Sequence, residues 1–180
     1  NGNYVVSWRD IANSGDVLCR IMSASGAVTS QTAVSTTANA ANTPRVASLT
    51  GGGIVVVWGE TGRTEGSVVD ATNQSNIYGR RYDNAGALQG SEFLVNGGTT
   101  SSQTTPTICG LFGGGFAVGW TSNTDPDGTT GVFGRRFDAS AVATEYDYQL
   151  SHRRLDAQTT PVIAALLTDL KRRGLLNETL

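Results

Sequence analysis

The chain has 180 residues, 38% of them hydrophobic and only 16% charged, with 23 glycines and a formal net charge of −2. That length holds one domain with a real core and leaves two full domains crowded. Near-neutral charge supplies no basic field for gripping phosphates, so nucleic acid is a poor partner, and no apolar stretch approaches the roughly 20 residues needed to span a bilayer.

The plentiful Gly, Thr, Ser, Asn and Val describe a turn-rich β protein, and its apolar residues sit in ordered blocks rather than being sparse as in disordered chains. The opening stretch Asn1 to Trp8 reads as the middle of a repeat, as expected of a piece cut from a longer protein or of a chain that has lost a leader. The two cysteines, Cys19 and Cys109, form no CxxC pair, and His152 is the only histidine, so a structural zinc site lacks its usual ligands. One disulfide and two buried thiols are both open readings, and the cysteine count does not decide compartment.

Three blocks end in tryptophan: Tyr4-Val5-Val6-Ser7-Trp8, Gly53-Ile54-Val55-Val56-Val57-Trp58 and Gly115-Phe116-Ala117-Val118-Gly119-Trp120. Each is followed, after a polar loop of variable length, by a second block. These are Val17 to Ser23, Ile77 to Asp83 and Val132 to Asp138. A proline lies 14 positions before Trp58 and before Trp120, at Pro44 and Pro106. The period runs from 50 to 62 residues, and the variation falls in loops, where a strand scaffold tolerates insertions. Units fall at about 1–43, 44–105 and 106–160, forming one repeat domain over 1–160.

Within a unit, Pro44 to Leu49 predicts a short strand and Gly51-Gly52-Gly53 a turn. Ile54 to Trp58 is a continuous β-branched run, expected of a strand buried on both faces. Ile77 to Asp83 follows, then Asp83-Asn84-Ala85-Gly86 with turn chemistry, then a strand over Leu88 to Val95 with Phe93 and Val95 on one face. Four antiparallel strands per unit is the blade pattern of a β-propeller, incomplete at three units. The predicted fold class is therefore all-β, built of tandem blade-like antiparallel sheets.

Period-2 alternation sorts the second block into faces. Arg20, Arg80 and Arg135 each lie between two large apolar residues: Leu18 and Met22, Tyr78 and Tyr82, Phe133 and Phe137. A ligand clamp is one reading of these arginines. The favoured one is structural, with the stem packed on the rings and the head reaching a carboxylate or a backbone carbonyl. Arg81 with Asp83 and Arg136 with Asp138 share the opposite face and are lost together in the first unit, to Ile21 and Ser23, which suggests paired charges. Trp8, Trp58 and Trp120 each close an apolar strand, so buried packing is favoured over sugar stacking.

The loop Asn123-Thr124-Asp125-Pro126-Asp127-Gly128 opens like a calcium loop. Oxygen ligands stand at Asn123, Asp125 and Asp127, while Gly134 replaces the expected bidentate glutamate. A solvated Asx-rich turn explains the same residues.

In the tail, Gln158-Thr159-Thr160-Pro161-Val162-Ile163 copies Gln103-Thr104-Thr105-Pro106-Thr107-Ile108 almost residue for residue, but no Trp strand follows. Thr160 can serve as N-cap and Pro161 as first residue of a helix over 161–173, with Ile163, Leu166, Leu167 and Leu170 as an apolar stripe for assembly. Lys171, Arg172 and Arg173 suit its last turn and Gly174 its C-terminal cap. A strand over Ile163 to Leu167 is the alternative, and 161–180 is taken as a separate tail.

The pattern Gly-Gly-Phe-Ala-Val-Gly-Trp-Thr-Ser, Gly-Val-Phe-Gly-Arg-Arg-Phe-Asp and Thr-Thr-Pro-Thr-Ile resembles the Trp/Gly-rich tandem repeats of very large secreted and cell-surface bacterial proteins. That resemblance covers roughly residues 1 to 166 and departs from the pattern at Ile21, Met22 and Ser23. It implies a propeller-like, non-enzymatic, extracellular module and names no ligand. The ending Leu-Leu-Thr-Asp-Leu-Lys-Arg-Arg-Gly-Leu-Leu is similar to the C-termini of some bacteriophage virion proteins.

No nucleophile elbow, HExxH or Walker A pattern is present, and His152 lies beside Arg153 and Arg154, a poor setting for a neutral base. The resemblance to secreted repeats implies adhesion or assembly outside the cell, through protein partners or copies of itself, and that is the expected function. A virion decoration or fibre protein oligomerising through its tail is the rival, and a lectin-like module holding glycans in the loops after each tryptophan is a third reading. Calcium is the one cofactor to be entertained.

Overall fold

The computed structural model describes residues 3–12, 15–35, 41–65, 68–69, 74–97, 101–123, 130–144 and 148–149. Every regular element among them is a β-strand. The chain divides into Asn1–Leu150 and Ser151–Leu180. The second unit lies outside the described residues, and with it the expected helix over 161–173 and the stripe Ile163, Leu166, Leu167 and Leu170.

Three antiparallel sheets follow one another along the first unit. The first has three strands, β1 (Tyr4–Asp10), β2 (Asp16–Met22) and β3 (Val28–Ala33), side by side. The second has four, in the order β4 (Ala41–Ser48), β5 (Ile54–Thr61), β8 (Ser75–Tyr82) and β9 (Phe93–Leu94). A small hairpin, β6 (Thr64–Glu65) with β7 (Val68–Val69), lies in the loop between β5 and β8. The third sheet repeats the four-strand order with β10 (Gln103–Gly110), β11 (Phe116–Ser122), β12 (Gly131–Phe137) and β13 (Tyr148–Gln149).

Register shows the repeat directly. Trp8 pairs with Leu18, Trp58 with Tyr78 and Trp120 with Phe133. Val6 likewise faces Arg20, Val56 faces Arg80 and Val118 faces Arg135. The first strands β4 and β10 share an irregularity as well. Register shifts between Asn42 and Arg45 and between Thr104 and Thr107, and Thr43 and Thr105 take φ of 44° and 49° just before Pro44 and Pro106. A β-branched residue at positive φ is costly. Its occurrence at the same place twice makes the bulge a built part of the repeat.

The sheets pack face on face, because each central strand carries apolar side chains on both sides. Val17, Cys19, Ile21 and Val34 of the first sheet bury Ile54, Val56, Trp58, Tyr78 and Tyr82 of the second. From the other face of the second sheet, Val55, Val57, Ile77 and Val95, joined by Phe93, cover Phe116, Val118, Trp120 and Phe137 of the third. Sandwiched this way, β5 is buried from Ile54 to Glu60, matching the uninterrupted run in its sequence.

Two expectations change. The strand anticipated over Leu88 to Val95 is broken: Leu88 makes an isolated bridge to Tyr82, and only Phe93–Leu94 pair with Gly79 and Tyr78. Gly90 at φ 80° bulges the chain out between them. Phe93 fits because Gly79 leaves room; a Cβ there would lie 2.5 Å from its ring.

The charge pairing of Arg81 with Asp83 and of Arg136 with Asp138 is also corrected. Asp83 Oδ1 accepts the amides of Ala85 and Ala87 at 2.9 and 2.8 Å, and Asp138 Oδ1 those of Ser140 and Val142 at 2.8 and 2.9 Å. These carboxylates cap the turn by satisfying backbone donors. Ser23 does the same work in the first sheet, its hydroxyl accepting the Ala27 amide at 3.1 Å, which explains how the aspartate is replaced there.

The fourth residue of this turn is Gly26 or Gly86, at φ 83° and 88°, but Ala141 in the third sheet, at φ 64°. An alanine in the left-handed region costs about 1 kcal/mol relative to glycine. Ala141→Gly is expected to raise stability by about that amount in urea unfolding, and Gly86→Ala to lower it similarly.

Candidate functional site: the open side of the first sheet

Each tryptophan ends the central stretch of its sheet, and its indole N–H must be satisfied where buried. Trp58 Nε1 donates to Glu60 Oε2 at 2.8 Å, two residues along the same strand. Trp120 Nε1 donates instead to Gln103 Oε1 on the neighbouring first strand at 2.9 Å. The acceptor has moved across one cross-strand pair, since Ala41 faces Glu60 in the second sheet and Gln103 faces Ser122 in the third. The partner rings match too, with Trp58 6.3 Å from Tyr78 and Trp120 6.4 Å from Phe133.

The repeated arginines bridge successive sheets. Arg80 Nη1 donates to the carbonyl of Val34, the residue after β3, at 2.8 Å, and Arg135 Nη1 donates to the carbonyl of Val95, the residue after β9, at 2.9 Å. Each arginine thus reaches back to the end of the preceding sheet. Arg20 lies in the first sheet, turned toward its own elements. It hydrogen-bonds Gln31 Oε1 through Nε, and through Nη2 as well, and its guanidinium lies 5.4 Å from the Trp8 ring centroid.

Around Arg80 stands a group of charges that the periodic pattern does not reveal. Arg63 Nη1 lies 3.6 Å from Glu60 Oε2, its Nη2 lies 2.5 Å from Glu92 Oε2, and Arg80 Nη1 lies 3.4 Å from Glu92 Oε1. The Arg63 guanidinium also covers the Tyr78 ring at 4.3 Å. Both carboxylates are held by arginines in a buried setting, which makes the group a strut fixing the β5–β8 loop to the sheet. Arg63 has no counterpart five residues after Trp8 or Trp120, where Asn13 and Asp125 stand, so periodicity could not find the group.

The first sheet is unlike its counterparts in two respects. Tyr4 and Val6 are 49% and 46% exposed, whereas Val56 and Val118, the counterparts of Val6, are 0% and 1% exposed. With Trp8, Arg20 and Met22 they line an open groove of about 320 Å³. Among the described residues β1 pairs with β2 alone, whereas β5 lies between β4 and β8 and β11 between β10 and β12. A second cleft of about 480 Å³ runs between the first two sheets, from Tyr4, Val5 and Ile21 across to Val46, Ser48 and Ile54.

No protein-family profile matches the chain, and no curated protein matches it. The open side of the first sheet therefore has to be interpreted on its own chemistry.

Of the remaining candidates, Asn123 is exposed and donates its amide to the Ser102 carbonyl at 2.9 Å, while Asp125 and Asp127 lie outside the described residues. Among the described residues no three His, Cys, Asp or Glu side chains gather as a metal site, and no helix is long and apolar enough to cross a membrane.

Both cysteines are free thiols, Cys19 buried and Cys109 exposed. Burial pushes the Cys19 thiol from 9.0 up to about 11, and desolvation first, then the nearby Cys19, push Tyr82 from 10.0 up to about 12. Both groups fold in their neutral form. Their contribution is complete below the unfolded values and is lost as pH rises through the folded ones. Stability is expected to fall between about pH 9 and 12. At pH 8 a thiol reagent is expected to label Cys109 at once and Cys19 only on unfolding, as mass spectrometry would show.

Proposed function

We propose that the chain is a non-enzymatic interaction module, a propeller-like array of repeat sheets that engages a protein partner through the open side of its first sheet. The observation that carries this reading is the exposure of Tyr4 and Val6 at positions whose counterparts in the other two sheets are sealed by a preceding sheet. An aromatic and apolar surface with a cation beside it is the composition of an interface core. An extracellular setting, by adhesion or by assembly, accords with the resemblance of the Trp-ended blocks to secreted repeat proteins.

The test is sedimentation of the full chain across concentration, alone and with Val6→Glu. Self-association abolished by Val6→Glu, with the melting temperature unchanged, supports the reading, as does capture of a defined surface protein lost in the same variant. Association indifferent to Val6→Glu, or binding only to immobilised glycans through the loop 121–131, overturns it. The calcium reading of Asn123, Asp125 and Asp127 is a separate matter: heat in calorimetry that disappears with Asp125→Ala and Asp127→Ala supports it, and no heat with Ca²⁺ leaves the loop a solvated Asx-rich turn.

A further inference from the structure

Asn96 and Gly97 stand just after β9, where the chain leaves the second sheet for the third. Asn96 is 1% exposed, and both ends of its side-chain amide are held. Its Oδ1 accepts the Ile77 amide at 2.7 Å, and its Nδ2 donates to Asn76 Oδ1 at 2.9 Å. Val95 is tied as well: its amide donates to the Ile77 carbonyl at 2.8 Å, and its carbonyl accepts Arg135 of the third sheet at 2.9 Å. Residues 95 and 96 are thus a joint between the end of the second sheet, β8 and β12.

The first sheet makes the same joint with different chemistry. Val34 donates its amide to the Val17 carbonyl as Val95 does to Ile77, and the Val17 amide donates to Ser35 Oγ at 2.9 Å. A hydroxyl therefore suffices as the acceptor. The second sheet uses an amide followed by glycine, whose nitrogen has no side chain beside it to hinder approach to the Asn96 carboxamide carbon. We propose that Asn96-Gly97 is a modification site, a deamidation point that the fold holds shut and that no longer closes the joint once converted.

The reaction needs no co-reactant but water. The Gly97 nitrogen attacks Asn96 Cγ, the Cγ–Nδ2 bond breaks, and Nδ2 leaves as ammonia with the proton that the Gly97 nitrogen gives up. Water then opens the five-membered imide at either carbonyl, giving aspartate or an isoaspartate whose main chain runs through the side-chain carbon. In the closed joint the bonds to Ile77 and Asn76 fix the carboxamide, and burial keeps water from the leaving nitrogen. Conversion therefore waits for local opening around Asn96, a smaller event than global unfolding.

The product does not fit the place that the amide leaves. A carboxylate sets an oxygen against Asn76 Oδ1, where an N–H donor stood, and Asn76 lies opposite the buried carboxylate of Glu60 in the β5–β8 pairing. A buried charge facing acceptors is costly. An isoaspartate instead lengthens the main chain next to Val95, whose two backbone bonds fix the register. Either product weakens the joint, so an opening that ends in conversion is not reversed. The joint between the second and third sheets is a one-way release, timed by how often it opens.

The test follows the full chain at mildly alkaline pH, folded and in urea, by peptide mapping with mass spectrometry. Loss of ammonia at Asn96 is expected in both, at least about tenfold slower in the folded chain. Isoaspartyl methyltransferase is expected to methylate the converted peptide. Asn76→Ala, which removes the acceptor of Nδ2, is expected to speed conversion several-fold in the folded chain and to leave the rate in urea unchanged. Aged protein is expected to melt at a lower temperature in proportion to the fraction converted. Asn96→Ser, which keeps the kind of acceptor that Ser35 provides, is expected to melt after the same treatment as it does fresh. Equal rates folded and in urea, no acceleration by Asn76→Ala, or converted chains that melt like fresh ones each overturn the inference. Should Asn76→Ala fail to fold, the ratio of the two rates and the aged melting curves of the parent and Asn96→Ser decide.

Discussion

Trp58→Ala and Trp120→Ala are each expected to destabilise the protein by about 3–5 kcal/mol, whereas Trp8→Ala in dilute solution is expected to cost about 1 kcal/mol or less. The three residues occupy one register position, but their covers differ. Trp58 is sealed by the first sheet and Trp120 by the second, and each loses ring contacts and the partner of a buried acceptor on truncation. Trp8 is half-buried, with Arg20 stacked on it and solvent beyond. Urea unfolding followed by circular dichroism reads all three. At higher protein concentration the cost of Trp8→Ala is expected to grow, because a partner that binds only the folded chain adds to its stability. Equal costs in dilute solution would mean that Trp8 is already covered within one molecule.

The contrast among the tryptophans shows which features the sequence made legible. Strand faces were readable because alternation is a local property: the place of Arg80 between Tyr78 and Tyr82 and the burial of β5 on both sides follow from residue types within a few positions. The number of sheets was readable because the repeat recurs in order. Some backbone features leave no such trace. Thr43 and Thr105 carry a positive φ that their residue type disfavours, and the nearby proline reveals only that the strand is irregular there. Asp83 carries two readings in the sequence, first residue of a turn and charge partner of Arg81, and its oxygen serves the turn alone, accepting backbone amides of Ala85 and Ala87. Exposure of the Tyr4 and Val6 face also escaped the pattern, because identical positions in a repeat differ only in what lies over them.

Arg63 is the residue the periodic pattern hid most completely, and its removal is expected to be among the most damaging changes. Arg63→Met keeps much of the side-chain length over the Tyr78 ring but withdraws the positive charge standing between Glu60 and Glu92. Glu60 is fully buried, and losing one member of a buried ion pair typically costs about 3–5 kcal/mol because the survivor remains desolvated. The third sheet supplies the control. There Trp120 is held by the neutral Gln103, with Ser122 at the position of Glu60, so the packing of this fold does not in itself require charge. The combined variant Glu60→Gln, Arg63→Met and Glu92→Gln retains an acceptor for the Trp58 indole while removing the two carboxylates that lose the Arg63 charge. It is therefore expected to recover most of the stability lost in Arg63→Met alone. Denaturant midpoints of the single and combined variants measure this directly. If the combined variant is as unstable as Arg63→Met, the loss comes from the arginine's packing on Tyr78 and its grip on the β5–β8 loop, and the charges merely accompany it.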